Sequence, residues 1–146
     1  LGSISCLAFG RREDPLIICL HGHPSSAHDT YNHWLIPALV HSRFYAVAID
    51  MPGRGESTTA RHCNKGMPFK TRSEYNLDKG GAADVACAVI KALKGQKGRA
   101  SVIGYDWGGG IALSMAIEKR CRAHIESIVV FHPSYNEVMT DELKGV

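Results

Sequence analysis

The fold of this chain is decided by one stretch, Val102-Ile103-Gly104-Tyr105-Asp106-Trp107-Gly108-Gly109-Gly110-Ile111. The apolar run over residues 100–103 predicts a buried parallel strand, and the apolar residues from Ile111 to Ile117 predict a helix. Only a few residues separate the two elements. We therefore expect a sharp strand-to-helix corner with the carboxylate of Asp106 at its apex.

Glycines flank this apex symmetrically, because Gly104 and Gly108 lie two positions to either side of Asp106. Neither glycine has a Cβ, so the two limbs of the turn can approach without colliding. This is the G-x-Nuc-x-G spacing of a nucleophile elbow, with Asp where serine hydrolases have Ser. The first free N–H groups of the helix and its positive dipole end point at the apex, which favours an ionised carboxylate.

Two other interpretations of the stretch stay open. An Asp directly before a helix is often no more than an N-cap. Gly104, Gly108 and Gly110 also match the G-x-x-x-G-x-G spacing of some dinucleotide-binding folds. Such a loop normally follows the first strand of its domain, whereas most of this chain precedes Gly104, so its position argues against a dinucleotide site.

The rest of the chain alternates strand and helix signals, which predicts right-handed crossovers and a mostly parallel sheet. Residues 4–9 and 16–20, separated by a polar turn, predict an N-terminal hairpin that leads into a central strand. Residues 58–75 show no periodicity and predict a surface connection. The remaining predicted elements are helices over 31–39 and 82–93 and strands over 45–49 and 125–131.

Composition limits the possible classes of function. A chain of 146 residues suits one domain, and its net charge of +3 is small and dispersed, so we expect no nucleic-acid partner. No apolar run is long enough to span a membrane. The five cysteines are odd in number and lack C-x-x-C spacing, and Cys19 and Cys87 lie in apolar runs, which predicts buried free thiols in a cytoplasmic protein.

Three motifs that each follow a predicted strand carry a family resemblance. They are His21-Gly22-His23-Pro24, the segment D-M-P-G-R-G-E-S at 50–57, and Gly104-Tyr105-Asp106-Trp107-Gly108-Gly109. Their order resembles the α/β-hydrolase superfamily, and the last motif is similar to its epoxide hydrolase and haloalkane dehalogenase branch. The resemblance covers nearly the whole chain and implies a three-layer α/β-hydrolase core.

The resemblance also implies roles for individual residues. Asp106 corresponds to the nucleophile, and His23 and Trp107 correspond to the residues whose backbone N–H groups form an oxyanion hole. Trp107 and Tyr105 would also line the substrate cavity. The remaining motif residues, Asp50, Gly53, Gly55 and Ser57, would be a scaffold that supports the neighbouring strand end.

Chemistry explains why a nucleophile in this branch is Asp. A serine that attacked an sp³ carbon bearing a halide or an epoxide oxygen would leave an ether, which water does not readily cleave. A carboxylate leaves an ester, and water can then attack the ester carbonyl with help from a general base. The resemblance therefore implies a small hydrophobic substrate, an epoxide or an alkyl halide, and no cofactor.

The base is where the sequence departs from the family. In the family, the base His and usually the acid come from later strands, beyond a cap segment. After the elbow this sequence contains only His124, before the last predicted strand, and His132, at its carboxyl end. We expect His132 to line the site and leave open whether it is catalytic.

We therefore expect residues 1–146 to form the N-terminal half of such a core, truncated before the cap and the last strands and inactive alone. We also expect self-association, or pairing with a C-terminal half, through the strand at 125–131. Alternatives are a non-catalytic binding protein and an ester-hydrolase-like scaffold in which Asp106 is only a cap. A metal site is not expected, because the histidines at 21, 23, 28, 33 and 41 do not share one helix face.

Overall fold

The computed structural model describes residues 3–57 and 81–133. The predicted surface connection at 58–75 lies outside the described residues, as does Cys63. Within them, strands and helices alternate, but the helix predicted over 31–39 is wrong in its continuity, because one helix ends at Tyr31, the next begins at Leu35, and Trp34 lies in neither. The elements are β1 (Cys6–Phe9), β2 (Leu16–Leu20), α1 (Ala27–Tyr31), α2 (Leu35–His41), β3 (Tyr45–Ile49), α3 (Gly81–Lys94), β4 (Ala100–Tyr105), α4 (Trp107–Ile117), α5 (Lys119–Arg122) and β5 (Ile125–Phe131).

The described strands form one sheet in the order β1-β3-β2-β4-β5. Strands β2 to β5 run parallel, and β1 is antiparallel. The predicted hairpin between residues 4–9 and 16–20 is wrong in its pairing, because β1 bonds to β3, with Cys6 opposite Ile49, and not to β2. All five residues of β2 are buried and both of its edges are taken by parallel neighbours, so β1 occupies the outer edge of β3.

Side chains of the sheet enter two hydrophobic cores on opposite faces. In β2, Leu16, Ile18 and Leu20 belong to the core that contains residues of α3, α4 and α5, while Ile17 and Cys19 belong to the core that contains residues of α1 and α2. This alternation follows from the period-two geometry of a strand. Helices therefore cover both faces, and the predicted three-layer arrangement is confirmed for the described part of the chain.

The chain order creates a switch point at the carboxyl end of β2. The chain leaves β2 to form β3 on one side and returns to form β4 on the other. The loops after β2 and β4 therefore diverge and leave a crevice between them, which is the usual ligand position in an open α/β sheet. The motifs at 21–24 and 104–109 meet at this crevice.

Cysteine burial agrees with the prediction. Cys19 and Cys87 are buried free thiols, and Cys121 is buried as well, whereas Cys6 is exposed. Burial raises the pKa of Cys19 and of Cys121 to about 12, so both are uncharged thiols. Across residues 3–57 and 81–133, no helix has the length and apolar character needed to cross a bilayer.

Candidate active site

Asp106 stands alone between the last residue of β4 and the first residue of α4. Its φ of 53° lies in the left-handed region, which costs a non-glycine residue about 1–3 kcal/mol and is typical of functional sites. The N–H of Gly109 donates to the carbonyl oxygen of Asp106 at 3.0 Å and closes the turn. The predicted strand-to-helix corner is confirmed.

The flanking glycines are required by close contacts on both sides of the corner. A Cβ on Gly104 would lie 2.7 Å from the Cα of Gly109, so the two limbs of the turn do approach as predicted. A Cβ on Gly108 would instead overlap the carbonyl of Leu20 and lie 2.7 Å from the carbonyl oxygen of His21. Gly108 therefore lets α4 pack against the end of β2.

The side chain of Asp106 does not cap α4. It makes no capping hydrogen bond within the helix. Its Oδ1 instead accepts a hydrogen bond at 3.0 Å from the backbone N–H of His23, which is 83 positions away in the chain. This contact contradicts the interpretation of Asp106 as a simple N-cap, and it brings the predicted oxyanion donor to the predicted nucleophile.

Gly22 allows this approach. A Cβ on Gly22 would lie 2.9 Å from the Cβ of Asp106 and 3.0 Å from its Oδ1, closer than a side chain tolerates. The segment 21–26, here called the oxyanion loop, therefore lies directly against the elbow. The sequence signal for this role was the glycine directly after His21.

Trp107 and Tyr105 adjoin the apex on either side. Trp107 is the first residue of α4, so its backbone N–H has no intrahelical acceptor, as an oxyanion donor requires. Its side chain is partly buried against the main hydrophobic core. Tyr105 is 43% exposed, and its ring lies next to Gly22, so it remains on the open side of the crevice.

His132 directly follows the carboxyl end of β5, which is hydrogen-bonded to the elbow. The carbonyl of Phe131, the residue before it, accepts the backbone N–H of Asp106 at 2.9 Å. His132 is exposed with a φ of 44°, and within the described residues no hydrogen bond joins it to Asp106. His124 lies at the opposite end of β5, where its Nδ1 is 2.9 Å from the carbonyl oxygen of Gly98.

The loop after β3, residues 50–57 and here called the β3 loop, has the predicted supporting role. The buried Asp50 carboxylate accepts the N–H of Ala27 at 2.8 Å and the N–H of Glu56 at 3.0 Å. The hydroxyl of Ser57 donates to the Asp50 carbonyl at 2.5 Å. Gly55, with a φ of 49°, leaves room for the Asp50 side chain. These contacts join the β3 loop to the start of α1.

Two polar contacts of the oxyanion loop were missed by the sequence analysis. His21 is fully buried, its Nδ1 donates to the Gly22 carbonyl at 2.8 Å, and its Nε2 accepts the N–H of Met51 at 3.1 Å. This pairing requires a neutral imidazole, and burial lowers the pKa of His21 accordingly. Arg54 places Nη2 2.7 Å from Nδ1 of His23.

The site contains no evident metal centre in the part of the chain that the structure describes. No group of three or more His, Cys, Asp or Glu side chains could hold an ion there. The rings of His28 and His33 do pack edge to face, with centroids 5.3 Å apart, on the outer side of α1.

Comparison with known proteins agrees with this geometry. Residues 15–145 match the family described as the alpha/beta hydrolase fold. The chain belongs to this family. Within the family, its curated relatives include bifunctional epoxide hydrolase 2 of Sus scrofa, 30% identical over 133 residues, which are 88% of this chain and 21% of the relative. Epoxide hydrolase 4 of Mus musculus is 32% identical over 113 residues, 76% of this chain and 26% of the relative.

Solved structures show the same fold. An epoxide hydrolase of Bacillus megaterium superposes with a TM-score of 0.72 at 22% identity, over 98% of this chain and 43% of that chain. The chain therefore spans less than half of that structure and 21% and 26% of the curated relatives. It is an α/β-hydrolase similar to the epoxide hydrolases, and it corresponds to part of their length.

Proposed function

We propose that this chain carries the nucleophilic half of an epoxide hydrolase site, with Asp106 as the nucleophile. The observation that carries the proposal is the hydrogen bond from the His23 N–H to Oδ1 of Asp106. A capping Asp would direct its oxygen to the N–H groups of its own helix. Here the carboxylate reaches across the crevice to a donor on another loop, and the left-handed backbone projects it there.

The bond supports different roles for the two carboxylate oxygens. Oδ1 is engaged by the His23 N–H, so Oδ2 is the oxygen that attacks the substrate. Its electron pair forms a bond to an epoxide carbon, the carbon–oxygen bond of the ring breaks, and in this chain alone the leaving oxygen takes a proton from water. The product is an ester of Asp106 whose carbonyl oxygen is Oδ1.

Hydrolysis of this ester requires the oxyanion hole. When water attacks Cγ, negative charge develops on Oδ1, where the N–H groups of His23 and Trp107 stabilise it. The attacking water also needs a base, and no described residue is hydrogen-bonded in a way that identifies one. We therefore propose that the chain alone forms the ester but does not turn over, and that His132 lines the site.

The substrate class follows from the mechanism and the relatives. An alkyl halide would form the same ester by loss of halide, so the nucleophile alone does not distinguish it from an epoxide. Both curated relatives named above are epoxide hydrolases, which favours a small hydrophobic epoxide. The buried free thiols favour a reducing compartment, and we propose the cytoplasm.

Intact-mass spectrometry tests the proposal. The chain is incubated separately with styrene oxide and with 1-bromobutane. The expected result is a mass increase equal to one styrene oxide, located by peptide mapping at Asp106 and absent from Asp106→Ala. Asp84→Ala removes an exposed carboxylate on α3 that pairs with Arg120, and this control should be labelled like the parent. No labelling, or equal labelling of Asp106→Ala, would contradict the proposal.

A further inference from the structure

The β3 loop holds the oxyanion loop and the start of α1 at three points. Nε2 of His21 accepts the Met51 N–H, and the Ala27 N–H at the start of α1 donates to Asp50. These two contacts are buried. The third, between Arg54 and His23, is exposed, and it is the one that involves the donor residue of the oxyanion hole itself.

The Arg54 contact determines which nitrogen of His23 carries the proton. A guanidinium has only donors, so Nδ1 of His23 must accept and the proton of the neutral imidazole lies on Nε2. Arg54 is well placed to hold the ring, because its own backbone is hydrogen-bonded on both sides. Its N–H donates to Met51 and its carbonyl accepts from Ser57, both at 2.9 Å.

The peptide group that carries the His23 N–H is restrained on one side by a buried contact, because Nδ1 of His21 donates to the Gly22 carbonyl at 2.8 Å. Gly22 itself is conformationally permissive, and Pro24 has no N–H to donate. The contact with Arg54 adds a second restraint on the same residue, through its side chain.

We propose that Arg54 is a positioning residue for the oxyanion hole. Arg54 holds the His23 imidazole so that the His23 N–H stays directed at Oδ1 of Asp106. The catalytic consequence rests on the proposed function. Ester formation removes charge from the carboxylate and gains nothing from this donor, whereas ester hydrolysis places charge on Oδ1. Loss of Arg54 should therefore slow ester formation less than about 2-fold and ester hydrolysis about 10-fold, below the 10²–10³ typical for complete loss of a donor.

The first test does not depend on catalysis. Nitrogen-15 NMR of the chain should show unprotonated Nδ1 and protonated Nε2 in His23. Amide hydrogen exchange at His23 should become about 10-fold faster in Arg54→Ala, as expected when a donor loses its fixed acceptor. Arg54→Lys, which keeps a cationic donor, should restore part of the protection. Arg122→Ala, an exposed arginine on α5, should leave the His23 amide unchanged.

A double-variant comparison guards against a general loss of structure. His23→Ala keeps the backbone N–H and removes the ring, so it should affect exchange at position 23 as Arg54→Ala does. The double variant should then show the same acceleration and not the product of the two. An unchanged His23 amide in Arg54→Ala, or effects that multiply, would overturn the inference.

The second test separates the half-reactions in the protein at its natural length, by single-turnover mass spectrometry of the Asp106 ester. The expected result is ester accumulation in Arg54→Ala, with Arg54→Lys closer to the parent. Equal slowing of both steps would overturn the positioning role. Absence of the ester in the parent would instead refute the proposed function, and the amide-exchange result would still decide the role of Arg54.

Discussion

Gly108→Ala should destabilise the chain because its new methyl group has no room. A Cβ at position 108 would overlap the carbonyl of Leu20 and lie 2.7 Å from the carbonyl oxygen of His21. Both are backbone atoms at the end of β2, which is hydrogen-bonded on both sides. Neither can move aside as a flexible side chain would, so α4 and β2 must separate.

The magnitude follows from two opposing effects. Overpacking a tight contact costs about 1–3 kcal/mol or more, and a backbone clash belongs at the upper end. Replacing a helical Gly by Ala stabilises the helix by about 1 kcal/mol, which offsets part of this cost. The expected loss in the free energy of unfolding is therefore at least about 2 kcal/mol, a large share of the roughly 5–15 kcal/mol of a typical domain.

Gly109→Ala is the matched control one position along the same helix. Its Cβ would lie 3.0 and 3.1 Å from Cα and Cβ of Pro133, so a shift of a few tenths of an ångström relieves it. The gain in helix propensity should keep this variant within about 1 kcal/mol of the parent. Urea denaturation followed by circular dichroism measures both. Equal midpoints for the two variants would refute the packing proposed for the elbow.

Three further predictions concern the site, the response to pH and the sheet edge. Gly22→Ala would place a Cβ 2.9 Å from the Cβ of Asp106. It should therefore weaken the hydrogen bond from the His23 N–H to Asp106 and accelerate hydrogen exchange of the His23 amide, while the circular dichroism spectrum stays unchanged. A His23 amide that remains protected would contradict this prediction. Because burial lowers the pKa of His21 below its unfolded value, its stabilising contribution is present above about pH 6.5 and lost as the pH falls below that value. The urea midpoint should decrease as the pH is lowered from 7.5 to 5, and it should decrease less in His21→Gln. Parallel pH profiles of the two proteins would exclude His21 as the cause. Val129 is 45% exposed on β5, the last strand of the described sheet, and it should support self-association. Val129→Lys should shift the sedimentation coefficient toward that of a monomer. A parent chain that is already monomeric would refute this expectation.

Local features of the fold were predictable from the sequence, whereas strand pairing was not. The elbow needs only an apolar run, two glycines and an apolar helix within a few residues, and all of these are visible in order. The partner of β1 depends instead on which edges β2 leaves free after β3 and β4 have paired with it. That competition between distant segments has no local signal, and the predicted hairpin was wrong for this reason.

In the candidate site, too, local features were predictable from the sequence and contacts between distant segments were not. The role of His23 came from its place in a motif, because its backbone contact with Asp106 spans 83 positions and no periodicity reports it. Arg54 and His21 were missed, since their partners are 31 and 30 positions away. A lone arginine in a glycine-rich turn is indistinguishable in sequence from a solvated one, and a histidine after a strand gives no sign of the N–H that it accepts.

Oxygen labelling tests the role of Asp106 most directly. The protein at its natural length, in excess over styrene oxide, reacts for a single turnover in water enriched in oxygen-18. If Asp106 is the nucleophile, water attacks Cγ of the ester, so the heavy oxygen appears in the peptide containing Asp106 and the diol carries an unlabelled oxygen from the enzyme. Label in the diol with none in that peptide would show direct attack of water on the epoxide and would contradict the account.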